Sequence, residues 1–225
     1  MRRRIGIIGS LLLTLAIAAP VAAAAASYHF SERGTGAEAF FSTFPADGIP
    51  VANTVYRDTF VGASSTIVRS DGATFSGSGL FFDSFTYTFD DLGTWTPVSE
   101  AFGFADGASL QVDRKLLAGA IAGAGAAIIC DIDPSWNYTC TDGTFSTTAS
   151  LTGQGPLFRQ HGTSSWGIAG GYQSTGHGTG SYRNASATGT LTVNGSAMDL
   201  GSNWGGDMFR FTNGWNDVQI CHQTC

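Results

Sequence analysis

Lysine and glutamate are nearly missing. Lys115 is the only lysine and Glu32, Glu38 and Glu100 the only glutamates in 225 residues, and charged residues make up just 12% of the chain. A phosphate-binding P-loop needs a lysine beside its glycines. Gly176-x-Gly178-x-Gly180 lacks that spacing and has no helix after it. No G-x-S-x-G pentapeptide is present, which removes the strand–turn–helix serine nucleophile. The H-E-x-x-H zinc-protease pattern is also absent. With so few glutamates, and many of the aspartates in turn-like contexts, nothing marks an acid–base pair for glycoside hydrolysis. Asp131-x-Asp133 begins like a calcium loop, but Pro134 and Trp136 stand where oxygen ligands and a glycine are needed, so a structural turn is expected. No metal and no cofactor is expected. Long amphipathic helices are missing as well.

The first segment has the order of a secretory signal peptide. Arg2, Arg3 and Arg4 precede a mainly apolar run, Ile5 to Ala18, and small residues from Ala22 to Ala26 follow Pro20. General secretion with cleavage after Ala26 is expected. The alternative is an uncleaved anchor, the chain's one route to a membrane, but the apolar run is short of the roughly 20 residues that span a bilayer. Losing three arginines would take the formal charge from −6 to −9. Such a balance argues against a nucleic-acid partner and against polybasic membrane docking. The chain is expected to be secreted, in the extracellular space or the cell envelope. Four regions follow: the signal peptide 1–26, an irregular lead-in 27–50 with one strand near Phe40–Phe44, a β-domain 51–200, and an aromatic C-terminal segment 201–225 packed on that domain.

Four cysteines, Cys130, Cys140, Cys221 and Cys225, allow three pairings. In an exported chain disulfides lead, and Cys130–Cys140 with Cys221–Cys225 is favoured because each closes a short loop. A four-cysteine zinc site is the alternative. Cys221-x-x-x-Cys225 fits its spacing and Cys130–Cys140 does not.

What is abundant is period-two alternation, the mark of β-strands. Phe75, Phe81, Phe85, Tyr87 and Phe89 share one parity against Ser84, Thr86 and Thr88, which places the aromatics on one face, expected to be the hidden one. Phe145, Ala149 and Leu151 alternate with Thr and Ser, as do Ala185, Ala187, Leu191 and Val193. Asp71-Gly72, Asp106-Gly107, Asp142-Gly143, Asn194-Gly195, Asp47-Gly48 and Asn213-Gly214 read as turns. Residues 116–129 have helix-like alanines, but Gly119, Gly123 and Gly125 favour a strand pair or one long bent strand. Residues 160–180 read as a long loop or irregular hairpin. The fold class expected is all-β: a single antiparallel sandwich or barrel, a choice the sequence leaves open.

Leu151-Thr152-Gly153-Gln154-Gly155-Pro156-Leu157 resembles the W-T-G-x-G-P-L segment of small secreted proteins of unknown function from actinomycete-type bacteria, with Leu151 in place of the tryptophan. Arg183-Asn184-Ala185-Ser186-Ala187-Thr188-Gly189 resembles their R-x-A-x-A-x-G strand, and the bracketed piece Cys130–Cys140 fits the same pattern. The resemblance covers residues 130–195. It implies export and β-structure and no catalytic residue. Gly178-Thr179-Gly180-Ser181-Tyr182 resembles the glycine-rich turn of allene-oxide-cyclase and dirigent barrels, which would imply a barrel.

Of the four histidines only His161 and His177 are placed to act within the domain, and solvated loop positions are expected for both. Tryptophans and tyrosines outside the alternating runs, Trp136, Tyr138, Trp166 and Tyr172, are the candidate binding residues. Trp95, Trp204 and Trp215 share their off-pattern character. Such rings either cap the core or stack on sugar faces. Four functions stand open, the last and least a membrane-spanning barrel, for which the Thr-rich strands have the wrong outer face unless the barrel is inverted. The first is a non-enzymatic extracellular or envelope-associated β-domain with a structural or binding role. The second is a carbohydrate-binding module whose exposed tryptophans meet a partner such as cell-wall glycan. The third is a hydrolase with a site built from loop residues.

Overall fold

Runs rich in Thr, Ser and aromatics suit extended backbone, because such side chains pack on a pleated surface. In the computed structural model, which describes residues 26–70, 72–167, 172–201 and 203–220, these runs form eleven strands and no helix. They are β1 (Ala26–Ser42), β2 (Val55–Ser70), β3 (Ala73–Phe89), β4 (Trp95–Asp106), β5 (Ser109–Val112), β6 (Ala118–Ile132), β7 (Tyr138–Gly153), β8 (Phe158–Gly167), β9 (Tyr172–Val193), β10 (Ser196–Ala197) and β11 (Asn203–Ile220). The ambiguous 116–129 segment lies almost wholly in the single long strand β6.

All pairings are antiparallel, and the ladder closes. Going round the ring, the order is β1-β2-β3-β4-β6-β7-β9-β11 and back to β1. The fold is therefore an eight-stranded barrel. Two wall positions are each shared by a broken strand. β4 and β5 lie end to end on one edge of β6, with Phe104 opposite Ala126 and Ser109 opposite Ala122. β7 and β8 likewise share one edge of β9, broken near Gly155, whose φ is 63°. Beyond the closed part, β8, β9, β11, β1, β2 and β3 run on as a six-stranded apron. There Arg33 faces Thr212 and Ile67, Ile67 faces Ser76, and Thr179 faces both Thr212 and His161.

The barrel interior is filled by side chains. Phe82, Leu80, Val61, Ile121, Leu191 and Met208 are fully buried, and alanines such as Ala37, Ala39, Ala63 and Ala187 leave them room. Phe82 meets Phe145 with ring centroids 4.5 Å apart. Buried hydroxyls are paired within this core: Thr59 and Ser84 lie 2.9 Å apart, and Thr147 donates to the Thr190 carbonyl at 2.9 Å. Leu116, in the β5–β6 turn, is buried against the core and plugs the apron end of the barrel. Asp113 builds that turn by accepting from the backbone N–H groups of Leu117 and Ala118, at 2.5 and 3.1 Å.

Several expectations are corrected. The aromatic parity of β3 faces outward. Phe75 and Phe81 are exposed, Phe85, Tyr87 and Phe89 are half-buried, and Leu80, Phe82, Ser84 and Thr86 point inside. Space is the reason: an eight-stranded barrel is just wide enough for its own side chains, and a second full row of rings on β3 would overfill it. The lead-in is not irregular, since Ala26–Ser42 is a wall strand. Its Gly34 and Gly36 hide the alternation, and the rings of Phe211 and Phe209 on β11 cover them. The proline and glycine signals belong to the loop 43–54, where Gly48 has φ 75°. For residues 160–180 the hairpin alternative holds and the long loop does not, since β8 and β9 pair antiparallel there. The C-terminal segment does not merely pack on the domain, because Asn203–Ile220 closes the ring.

Among the turn signals, Asn194-Gly195 is a tight turn with φ 50° and 76°, the pattern of a type I′ hairpin. Asp142-Gly143 and Asn213-Gly214 instead lie inside β7 and β11, the first paired with β6 and the second paired on both sides. The resemblance segment Gly178–Tyr182 likewise lies inside β9 rather than in a turn. Cys130 and Cys140 face each other across β6 and β7 and form a disulfide, which removes the four-cysteine zinc site. The expected signal peptide 1–26, apart from Ala26, and the expected Cys221–Cys225 pairing lie outside the described residues.

Candidate binding surface

Because β-strands alternate, each side chain that leaves the core row stands on the outer wall. The wall has two characters. On β7 and β9 it carries threonine and serine, joined across the strands by Ser146–Thr192 and Thr148–Thr190 hydroxyl contacts of 2.6 and 2.9 Å. On β1 to β4 it carries phenylalanine. Phe40 faces Phe60, Phe60 stacks on Phe81 at 5.2 Å, Phe81 faces Phe104, and Phe102 faces Ile128 on β6. Phe104 is 56% and Phe81 41% exposed. Four inter-strand steps of about 4.8 Å make this row roughly 19 Å wide. Glycine helps to seat it, since a Cβ at Gly62 would meet the rings of Phe81 and Phe60.

Nearer the other rim the outer aromatics are covered. The loop 43–54 folds over Tyr56, whose hydroxyl accepts from the Val51 N–H at 2.6 Å, and Phe44 packs against Tyr56 and Phe89. Tyr87 donates to Asp58 at 3.1 Å, and burial followed by the Asp58 charge pushes its phenol well up. The aromatic chain continues through Phe85 to Trp95 and ends at Trp136, whose ring stands edge-on to Trp95 at 5.3 Å. Both tryptophans are about half exposed, at 46% and 50%.

Carboxylates interrupt the phenylalanine wall. Glu38 faces Asp207 across β1 and β11, while Asp83 lies opposite both Phe60 and Phe102. Glu38 is held above the ordinary carboxylate range by burial and then by the Asp207 charge, and burial raises Asp207 and Asp83. Burial, then the Asp83 charge, raises Glu100. A carboxyl raised on folding binds its proton more tightly in the native state. The ionised pair therefore opposes folding, and the opposition grows as pH climbs from about 4 through the raised values. Glu38→Gln combined with Asp207→Asn is expected to raise the melting temperature at pH 7 and to leave it unchanged at pH 3.5. Thermal melts across that interval check this.

The four sequence-derived binding residues fall into two distant pairs. Trp136 and Tyr138 are exposed at the β6–β7 hairpin. The turn there is organised by Asp133, which accepts from the N–H groups of Ser135 and Asn137 at 2.8 and 3.0 Å and so acts as a structural turn. Trp136 has φ 65° in that turn. Trp166 and Tyr172 sit at the far end of the apron, where Trp166 faces Ser174 and Tyr172 faces Ile220. From Ser174 to Val193, the β9 residue level with Phe145, the strand runs roughly 60 Å. The side chains of Trp166, Tyr172, Trp204 and Trp215 lie outside the described residues. His161 and His177 are on neighbouring strands with their faces toward the barrel axis, not in loops. Trp95 joins Trp136 only because β4 and the β6–β7 hairpin meet, and its place just after Gly93 was the one local signal. The phenylalanine wall was missed because its rings read as core. Among the described residues no group of three or more His, Cys, Asp or Glu is placed to hold a metal ion. Compared with protein-family models, curated proteins and solved structures, the chain matches none of them.

Proposed function

We propose that this chain is an exported, non-catalytic barrel that works by adhesion in the extracellular space or cell envelope, with the phenylalanine wall of β1–β4 as its contact surface. The observation that carries this reading is the outer row in which Phe40, Phe81, Phe102 and Phe104 are exposed and the half-buried Phe60 joins Phe40 to Phe81. Contiguous exposed apolar area of this kind marks an interaction surface rather than ordinary solvent-facing wall. The leader-like first segment, the Cys130–Cys140 disulfide and the likeness to small secreted proteins support export. A barrel that crosses a bilayer needs an apolar band around its circumference, whereas the Thr/Ser wall of β7 and β9 suits water, so attachment on one side fits better than spanning.

A second reading has its own support. Trp95 and Trp136 stand at right angles with exposed faces, and Tyr138 lies two residues on, an arrangement in which a ring can stack on a sugar. Sedimentation of the purified protein with cell-envelope fragments separates the two. On the adhesion reading, Phe81→Ser with Phe104→Ser weakens binding at least tenfold, while Trp95→Ala with Trp136→Ala leaves it unchanged. The reverse pattern favours glycan stacking. Turnover of any substrate that depends on His161 or His177 would overturn both.

A further inference from the structure

The chain is acidic overall, yet its cations are gathered in one place. Eight of the eleven basic residues follow residue 4. Seven of them lie at the apron end. Arg33 on β1, Arg69 on β2, Arg159 on β8, Arg183 on β9 and Arg210 on β11 occupy inward-facing positions of the wall, in step with Thr35, Ser65, Ser181 and Met208. Arg114 and Lys115 belong to the turn around the Leu116 plug and are exposed. The eighth, Arg57, is near the opposite rim, where it donates to the Asp199 carbonyl at 3.3 Å.

Two of these arginines are held in place by backbone. Arg183 donates to the Gly155 carbonyl and Arg210 to the Val112 carbonyl, each at 2.7 Å. The Nε of each is buried with no hydrogen-bond partner among the described residues. An orphaned donor on a fixed guanidinium is costly unless something else accepts from it. Beside Arg210 a cavity of about 660 Å³ opens between the β5–β6 hairpin and the inner wall, lined also by Thr35, Ser65, Gln111 and Asp113. Asp113 is committed elsewhere: its carboxyl is held below the usual range chiefly by the Ala118, Leu117 and Lys115 N–H groups, with Arg210 the smaller influence. A second hollow of about 400 Å³ lies farther along the apron, lined by Thr163, Ser165 and His177.

We propose that this inner face is a binding site for an acidic polysaccharide. Planar guanidinium groups match carboxylate geometry two bonds at a time. Five arginines on five neighbouring wall strands span roughly 19 Å at about 4.8 Å per step, which is too wide for one anion and suits a chain with charge at intervals. The other inward-facing positions on the apron are largely serine and threonine, which exchange hydrogen bonds with sugar hydroxyls. Among the described residues this face has no Phe, Tyr or Trp, so the stacking platform that single-stranded nucleic acids use is missing. On this face the gathered charge outweighs Asp113, the acid in the cavity lining, whose carboxylate is taken up by the Leu117 and Ala118 N–H groups. The site shares no residue with the phenylalanine wall and stands or falls apart from it.

Titration of the full chain with polygalacturonate oligomers, neutral dextran and single-stranded DNA tests this. The expected result is binding of the uronate at low salt, weakened more than tenfold by 0.5 M salt, with no binding of dextran. Arg183→Gln with Arg210→Gln is expected to weaken uronate binding at least tenfold. Because those two side chains also brace the plug, the exposed pair Arg33→Gln with Arg69→Gln is the control that keeps the fold: severalfold weaker binding at an unchanged melting temperature. Phe81→Ser with Phe104→Ser should bind uronate like the parent. Uronate binding untouched by both arginine pairs, equal binding of dextran, or tighter binding of DNA than of uronate would each overturn the proposal.

Discussion

Phe82→Ala is expected to cost about 3–5 kcal/mol, the range for emptying a large aromatic from a packed core. Phe82 is 1% exposed, meets Phe145 at 4.5 Å, and lies over Gly103, where a Cβ would come within 2.7 Å of its ring. Little can collapse into the space, because its neighbours are strands locked on both sides by the ladder. For a chain of this size each kcal/mol shifts the melting temperature by about 2–4 °C, so a drop of about 6–20 °C is expected. Phe81→Ala, one residue away on the same strand, should cost less than about 1 kcal/mol, because its ring already faces solvent. The pair tests the face assignment of β3 directly. If Phe81 proves the costly position, the strand is flipped and the outer aromatic wall disappears with it.

Gly206→Val should be the next most damaging change. Gly206 faces the barrel interior on β11, opposite Ala39 on one side and Ala185 on the other. A Cβ there would run into the Glu38 carbonyl oxygen, and also crowd Leu151 and the Ala39 backbone. Backbone cannot rotate away as a side-chain tip can, so the two strands must separate. Overpacking of this kind costs about 1–3 kcal/mol where side chains yield, and the upper end or outright failure to close is expected here. Gly77→Val is the contrast. No atom lies within 4 Å of a Cβ at that apron position, and its melting temperature should stay near that of the parent. Urea unfolding of both variants gives the comparison.

The strand content was legible because alternation is local. Phe145, Ala149 and Leu151, and Ala185, Ala187, Leu191 and Val193, do turn inward, with Thr and Ser outside. Where alternation misled, the missing information was global. β3 offers two apolar rows, and only the width of the closed barrel decides that Leu80 and Phe82 enter while Phe81 and Phe75 stay out. β1 was masked because Gly34 and Gly36 have no side chains of their own, and the rings that complete their surface come from β11, far away in sequence. Asp142-Gly143 shows the converse, a dipeptide whose turn preference yields to pairing with Ile128 and Ala127. The Cys130–Cys140 pair was readable, since a short hairpin brings its partners opposite each other.

Neither surface was readable in the same way. The phenylalanine wall looks like core until the barrel is closed. The arginine face is assembled from five strands, and no two of its residues are near enough in sequence to form a motif. Both depend on ring closure through β9 and β11, since an open sheet would have no interior and no mouth. Cross-strand NOEs in the isotope-labelled protein test that closure most directly. Closure requires contacts from 145–153 to 185–193 and, in the same sample, from 206–214 to 177–185. Finding the first set without the second would mean an open or two-layered sheet and would contradict the barrel.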